Sequence, residues 1–199
     1  MKQVLIVIDM QNDFITGPLG TKEAQAIVPN VVKKILSKKW DYILYTMDTH
    51  YDHGHYRYED TLEGEKLPIR HCIIWEDGYN LHFDIILANC EIAKKDPPKI
   101  ECFRKPTFGT EKLVDFLRNQ VADKTIYYKL VDDKVCDLDA EVEICGLCTD
   151  ICVISNALLL RAAFPNMRIT CDSSCCAGVT PEKHAAALEV MRSCQIDVI

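Results

Sequence analysis

At 199 residues, with 48% hydrophobic and 27% charged residues, the chain has the size of one globular domain with a sizeable core rather than two. A net charge of −7, a pI near 5.4 and no Lys/Arg cluster argue against nucleic acid or an anionic membrane surface as partner and leave a small molecule as the expected substrate. Eleven cysteines, odd in number and irregularly spaced, do not read as the disulfide framework of a small secreted scaffold, so a reducing cytoplasm is the expected compartment.

Met1-Lys2-Gln3 leads straight into Val4–Ile8, a run too short for a signal sequence, and no apolar run approaches the ~18 residues of a membrane span. Val4–Ile8 has the continuous apolar pattern of a strand buried on both faces of a parallel sheet. It ends in Asp9, at the sheet edge where ligands bind in open α/β folds; a loop-ordering role is the alternative. Phe14 falls in the loop that follows, which runs on through Ile15–Thr21. Pro29, at a first-turn position before Val31, Val32, Ile35 and Leu36, predicts the start of an amphipathic helix.

Tyr42–Met47 is a second strand, closing in Asp48-Thr-His50. Strand alternation points Asp48 and His50 the same way, as two metal ligands would need. The segment from Tyr51 to Arg70 shows no clear period and reads as a long loop or lid ending at His71, a possible third ligand if it folds back. By residue type alone, His50, His53, His55 and His71 read more readily as polar loop residues. Apolar positions at Phe83, Ile86, Leu87 and Cys90 give a helical stripe over about 82–93, stopped by Asp96-Pro-Pro98. A third strand, Lys99–Arg104, leads to Lys105, which Pro106 keeps out of a helix; most lysines are solvated surface, and only coincidence with Asp9 and a cysteine singles this one out. Thr110 is placed to cap a helix over Glu111–Val121.

Thr125–Val131 reads as an extra strand and Asp132-Asp-Lys134 as a turn, before a strand at Glu141–Cys145. The stretch Glu143-Val-Glu-Ile-Cys-Gly-Leu-Cys-Thr-Asp-Ile-Cys-Val153 then organises the whole chain: a strand, a break at Gly146, and a helix over about 151–163 capped by Thr149 or Asp150. Cys152 falls in its first turn, where free amides and the helix dipole should make a thiol ionise more readily than its usual value of about 8.5. On this stretch alone it reads equally well as a nucleophile or as a small buried hydrophobe. Met167–Asp172 gives a strand, Ser173–Val179 a loop, Thr180-Pro181 a cap and first turn for a helix Pro181–Cys194, and Ile196–Ile199 a last strand. Strand and helix alternate throughout, which predicts an α/β fold: a mostly parallel central sheet with helices on both faces, a Rossmann-like three-layer sandwich.

With Asp9, Lys105 and Cys152 each at a strand end, the chain resembles the isochorismatase-like cysteine hydrolases, and within them the nicotinamidases. The motifs are Val-Ile-Asp9-Met-Gln-Asn-Asp-Phe14, Asp48-Thr-His50, His71, Lys105-Pro-Thr-Phe108 and, most specific, Gly146-Leu-Cys-Thr-Asp-Ile-Cys152. The resemblance implies a single cysteine hydrolase domain over 1–199, with a lid-like loop at about 51–71, and a catalytic triad of Asp9, Lys105 and Cys152. It also implies a cis peptide before Cys148 and an oxyanion hole from the amides of Cys148 and Cys152. A divalent metal, zinc or else iron or manganese, would be held by Asp48, His50 and His71, with Glu63 preferred over Glu65 as a fourth ligand. Phe14 and Phe108 are the candidates to flank a substrate ring. The implied activity is hydrolysis of nicotinamide to nicotinate and ammonia, in the salvage of NAD, and a homo-oligomer is the expected assembly. Two departures bear on the substrate: Leu67-Pro-Ile-Arg70 holds no aromatic before His71, and the segment 124–140 is long. The alternatives are a metal-independent hydrolase of another small amide on the same fold and a non-catalytic binding protein.

Overall fold

The computed structural model describes residues 1–54, 57–94, 96–121 and 138–199. The strand and turn expected within Thr125–Lys134 lie outside the described residues.

Six strands form one parallel sheet: β1 (Lys2–Ile8), β2 (Tyr42–Asp48), β3 (Lys99–Lys105), β4 (Ala140–Leu147), β5 (Arg168–Ala177) and β6 (Asp197–Val198), in the order β3-β2-β1-β4-β5-β6. The side chains from Val4 to Ile8 are fully buried, as a central strand covered on both faces requires. From β1 the chain steps outward to β2 and β3, then crosses back to β4 and continues to β5 and β6. The reversal falls between β1 and β4, and the crevice beyond the carboxyl ends of strands at such a point is the natural ligand site.

Right-handed crossovers put the helices of the two half-sheets on opposite faces. On one, α2 (Lys22–Leu36) packs against α4 (Phe83–Ile92); on the other, α5 (Glu111–Phe116) meets α6 (Ile154–Ala163), which meets α7 (Pro181–Ser193). Two short helices, α1 (Asn12–Ile15) and α3 (Leu62–Lys66), are also present among the described residues. No helix among the described residues is long and apolar enough to cross a membrane.

Several local expectations are corrected. Phe14 lies in α1 rather than in a loop. Pro29 is inside α2, whose start is set seven residues earlier by Thr21, its side chain accepting from the Ala24 amide; the cap outweighs the proline as a start signal. Residues 51–70 are not structureless: a 3-10 turn at Tyr58–Asp60 and α3 lie within them, with Thr61 capping α3 through the Gly64 amide. In α4 the buried residues are Ile85 and Ala88, whereas Phe83, Ile86 and Leu87 of the expected stripe are exposed. The loop expected at 173–179 is strand as far as Ala177, because a register irregularity opposite Ile144 and Gly146 lets β5 resume pairing at Cys176 and Ala177.

Candidate active site

The register of the sheet assembles the centre. Asp48 pairs with Lys105 across β2 and β3, and Ile8, just before Asp9, pairs with Thr46 on one side and Gly146 on the other. Asp9 turns the chain out of β1 at a φ of 47°, in the left-handed region that aspartate tolerates better than most side chains. Its Oδ1 accepts from Thr46 Oγ1 at 2.7 Å. Its Oδ2 lies 2.7 Å from Nζ of Lys105, and both side chains are completely buried. Lys105 Nζ is also 3.6 Å from Asp48 Oδ1 and donates to Sγ of Cys152 at 3.4 Å. Asp9, Lys105 and Cys152 thus form one contiguous cluster.

These groups set one another's protonation. Burial and then the Asp9 charge push the Cys152 thiol well above its ordinary value, with Lys105 acting against them. Burial raises the Asp9 carboxyl too, Lys105 again opposing. Burial works to lower Lys105, but Asp9, Cys152 and Asp48 outweigh it and hold the ammonium above its usual range. For Cys152 the direction is opposite to the lowering expected from the helix start, and desolvation of the buried thiol is its first cause.

The turn that carries Cys152 also differs from the expected capped helix. The Leu147–Cys148 peptide is cis, Cys148 is the N-cap position without a side-chain cap, and residues Thr149–Val153 form a π-helical turn before α6 begins. The Cys148 carbonyl accepts from the amides of Ile151 and Val153, at 3.0 and 3.1 Å, so the wide turn leaves the Cys152 amide out of that carbonyl's bonds. Such turns recur at functional sites. Thr149 and Asp150, expected as caps, are tied elsewhere: Thr149 Oγ1 is 2.8 Å from His184 Nδ1, and Asp150 Oδ1 accepts from the Val179 amide at 2.9 Å. Gly146, at φ 123°, lets β4 lie close to β1, since a Cβ there would sit 2.1 Å from the Ile8 carbonyl oxygen.

Beside this cluster, Asp48, His50, Glu63 and His71 gather four donor atoms within 4.8 Å of one another. His50 Nε2 is 2.9 Å from Asp48 Oδ2, and His71 Nε2 is 3.3 Å from the same oxygen and 3.6 Å from Glu63 Oε1. His71 returns to the strand end because the next residues are stitched to it. The His50 amide donates to Cys72 O, Ile74 donates back to His50 O, and the Cys72 amide donates to Asp13 Oδ2 at 2.7 Å. His71 Nδ1 faces Ile69 O at 2.8 Å, which fixes the ring with Nε2 toward the cluster. Burial would lower His71, but the neighbouring Asp48 and Glu63 carboxylates raise it to about 10. Two carboxylates and two imidazoles are a donor set that suits a divalent ion of the zinc, iron or manganese kind. Glu65, the alternative to Glu63, points to Lys66 and is exposed.

A cavity of about 290 Å³ adjoins both groups, with Cys148, Cys152, Asp48, Glu63 and His71 on its wall. Phe14 and Phe108 both line it, Phe14 buried with its ring 5.5 Å from that of His71 and Phe108 half-exposed. Three supporting side chains escaped the sequence reading. Thr46 holds Asp9 as above. Gln11 ties Asp48 through its amide and carbonyl, at 2.7 and 2.9 Å. Asn156 donates to the Cys152 carbonyl at 2.8 Å and accepts from Thr110 N at 3.1 Å. Their spacing was the available signal: two residues before Asp48, two after Asp9 and four after Cys152.

No curated protein sequence matches the chain. Residues 102–199 match the model described as the Isochorismatase domain. Among solved structures, the nicotinamidase/pyrazinamidase of Bacillus subtilis is similar with a TM-score of 0.74 at 22% identity, over 100% of this chain and 99% of that one. The pyrazinamidase of Pyrococcus horikoshii in complex with zinc gives 0.69 at 23%, over 100% and 99%. The N-carbamoylsarcosine amidase of Thermoplasma acidophilum gives 0.67 at 22%, over 100% and 95%. The chain shares the fold of these isochorismatase-like hydrolases over its whole length, and its residues 102–199 match the isochorismatase domain model.

Proposed function

We propose that this chain is a cysteine-dependent amidohydrolase acting on a small amide, with nicotinamide to nicotinate and ammonia as the leading reaction. The observation that carries the reading is a lysine ammonium 3.4 Å from Cys152 Sγ and 2.7 Å from the Asp9 carboxylate, beside a cavity that Cys152 lines. As Sγ attacks the amide carbonyl carbon, Asp9 accepts the thiol proton and the Lys105 ammonium holds the negative charge in place. The amides of Cys148 and Cys152 stabilise the tetrahedral oxyanion, at about 3–4 kcal/mol per donor. Asp9 passes the proton to the leaving nitrogen, ammonia departs and a thioester remains. Asp9 then takes a proton from water, the water oxygen attacks the thioester, and the C–S bond breaks to release the acid and restore the thiol. The raised proton affinity of buried Asp9 suits both halves of this cycle. A divalent ion held by Asp48, His50, Glu63 and His71 would supply a Lewis-acid anchor for the ring nitrogen of a pyridine amide. Phe14 and Phe108 would flank the ring.

A second reading, a metal-independent hydrolase of another small amide, draws on the equal sequence identity, 22%, to the N-carbamoylsarcosine amidase and on the missing aromatic at Leu67–Arg70. Ammonia release from a panel of amides, with metal analysis of the purified protein, tests both. Nicotinamide turnover by protein with stoichiometric metal supports the first, and turnover of aliphatic amides alone by metal-free protein favours the second. No turnover of any amide overturns the hydrolase.

A further inference from the structure

The cavity beside Cys152 carries one charged side chain that neither the proposed chemistry nor the cation cluster uses, Lys183. It stands in the first turn of α7, and its backbone is tied to the nucleophile turn by its neighbours. Thr180 Oγ1 accepts the Lys183 amide at 3.3 Å, and the adjacent His184 reaches buried Thr149 at 2.8 Å. Gly178 leaves no slack in this contact, since a Cβ there would sit 2.8 Å from both Asp150 Oδ1 and the His184 nitrogen. The helix start is held in place, and the side chain beyond it is exposed at the cavity rim.

In a chain with 30 acidic residues, Lys34, Lys38 and Lys105 all have carboxylate partners, whereas Lys183 has none among the described residues. The wall around it is apolar, with Leu147, Ile151 and Val179. An ammonium beside such a wall acts on a ligand through less screening water than one on open surface. The overall charge of −7 does not draw anions to the molecule, so any preference for one must come from this local charge. The cavity, about 290 Å³, is at the small end of ligand pockets and has room for a small amide rather than a polymer. We infer that Lys183 selects small amides that carry a carboxylate away from the scissile bond, by pairing with that carboxylate at the rim. The inference rests on the amide hydrolysis proposed above.

The test is kcat/KM by ammonia release on two matched pairs: nicotinamide against a pyridine carboxamide with a second, ring-bound carboxylate, and butyramide against succinamate. The readout is the charged-to-neutral ratio within a pair. The wild type should favour the charged member in at least one pair by about fivefold, the upper end for an exposed ion pair. That ratio should fall to about 1 in Lys183→Met and below 1 in Lys183→Glu, and it should shrink in the wild type as salt is raised. A ratio unchanged in Lys183→Met, or a wild-type ratio of 1 or less in every pair, overturns the inference while amide hydrolysis stands. No hydrolysis of any of the four compounds overturns the amide-hydrolase reading and this inference with it.

Discussion

Two lysines of this molecule each stand between two carboxylates. Lys105, fully buried at the end of β3, lies 2.7 Å from Asp9 and 3.6 Å from Asp48. Lys34, partly exposed on α2, lies 2.8 Å from both Glu143 of β4 and Asp172 of β5. By ion-pair geometry Lys34 is the better satisfied. It fastens a helix to two strands, and burial, which would lower it, is outweighed by Asp172 and Glu143. What Lys105 has, and Lys34 lacks among the described residues, is a thiol as a hydrogen-bond partner in the wall of a cavity. A lysine between acids is thus no mark of a site. The chemistry comes from what else shares its desolvated space.

The strongest way to break the contrast is at the thiol. Cys152→Ala should lower kcat for amide hydrolysis by at least about 10⁴-fold, as loss of a nucleophile does, while Cys148→Ala, which keeps its backbone amide, retains much of the activity. Equal losses in the two variants would remove the assignment. Next comes the cost of removing each lysine. Lys105→Met strands a buried carboxylate and should cost about 3–5 kcal/mol in denaturant unfolding, whereas Lys34→Met should cost about 1 kcal/mol or less. Similar costs would show that burial does not separate the two networks.

A smaller effect sharpens the boundary between the proposed triad and the Asp48, His50, Glu63 and His71 cluster. His71→Ala should weaken binding of added zinc by at least about 100-fold, beyond the losses typical of outer-shell changes, as read by competition with a chelating dye. Undiminished binding would place the ion elsewhere. The smallest effect concerns pH. Glu143 and Asp172 are both held below their usual range by Lys34 against the opposing effect of burial. A depressed carboxyl stabilises the fold above its unfolded pKa, and that contribution is lost as pH falls through the folded value. The stability gap between wild type and Lys34→Met should therefore be full at about pH 7, begin to narrow below about pH 4.5 and vanish only below the depressed folded values. A gap that widens on acidification would contradict the assigned pairs.

The sequence by itself determined the alternation of strand and helix, the place of Asp9, Asp48 and Lys105 at strand ends and that of Cys152 in the turn after β4. Local pattern suffices there, because an apolar run such as Val4–Ile8 and a break such as Gly146 act on their own segment. Two neighbouring cluster members, Asp48 and His50, were legible for the same reason. The gathering of Glu63 and His71 was not, since it depends on Cys72–Ile74 docking against His50 and Asp13, contacts between segments about twenty and sixty residues apart in the chain. Nor could local pattern show that Phe83, Ile86 and Leu87 face outward, or that β5 runs past its irregularity to Ala177. The protonation of Cys152 was misjudged on similar grounds. A first-turn position is a local property that favours the thiolate, but the water excluded by β1, β3 and the π-helical turn is a property of the packed molecule. Desolvation is the first cause of the upward shift, and only the tertiary structure creates it.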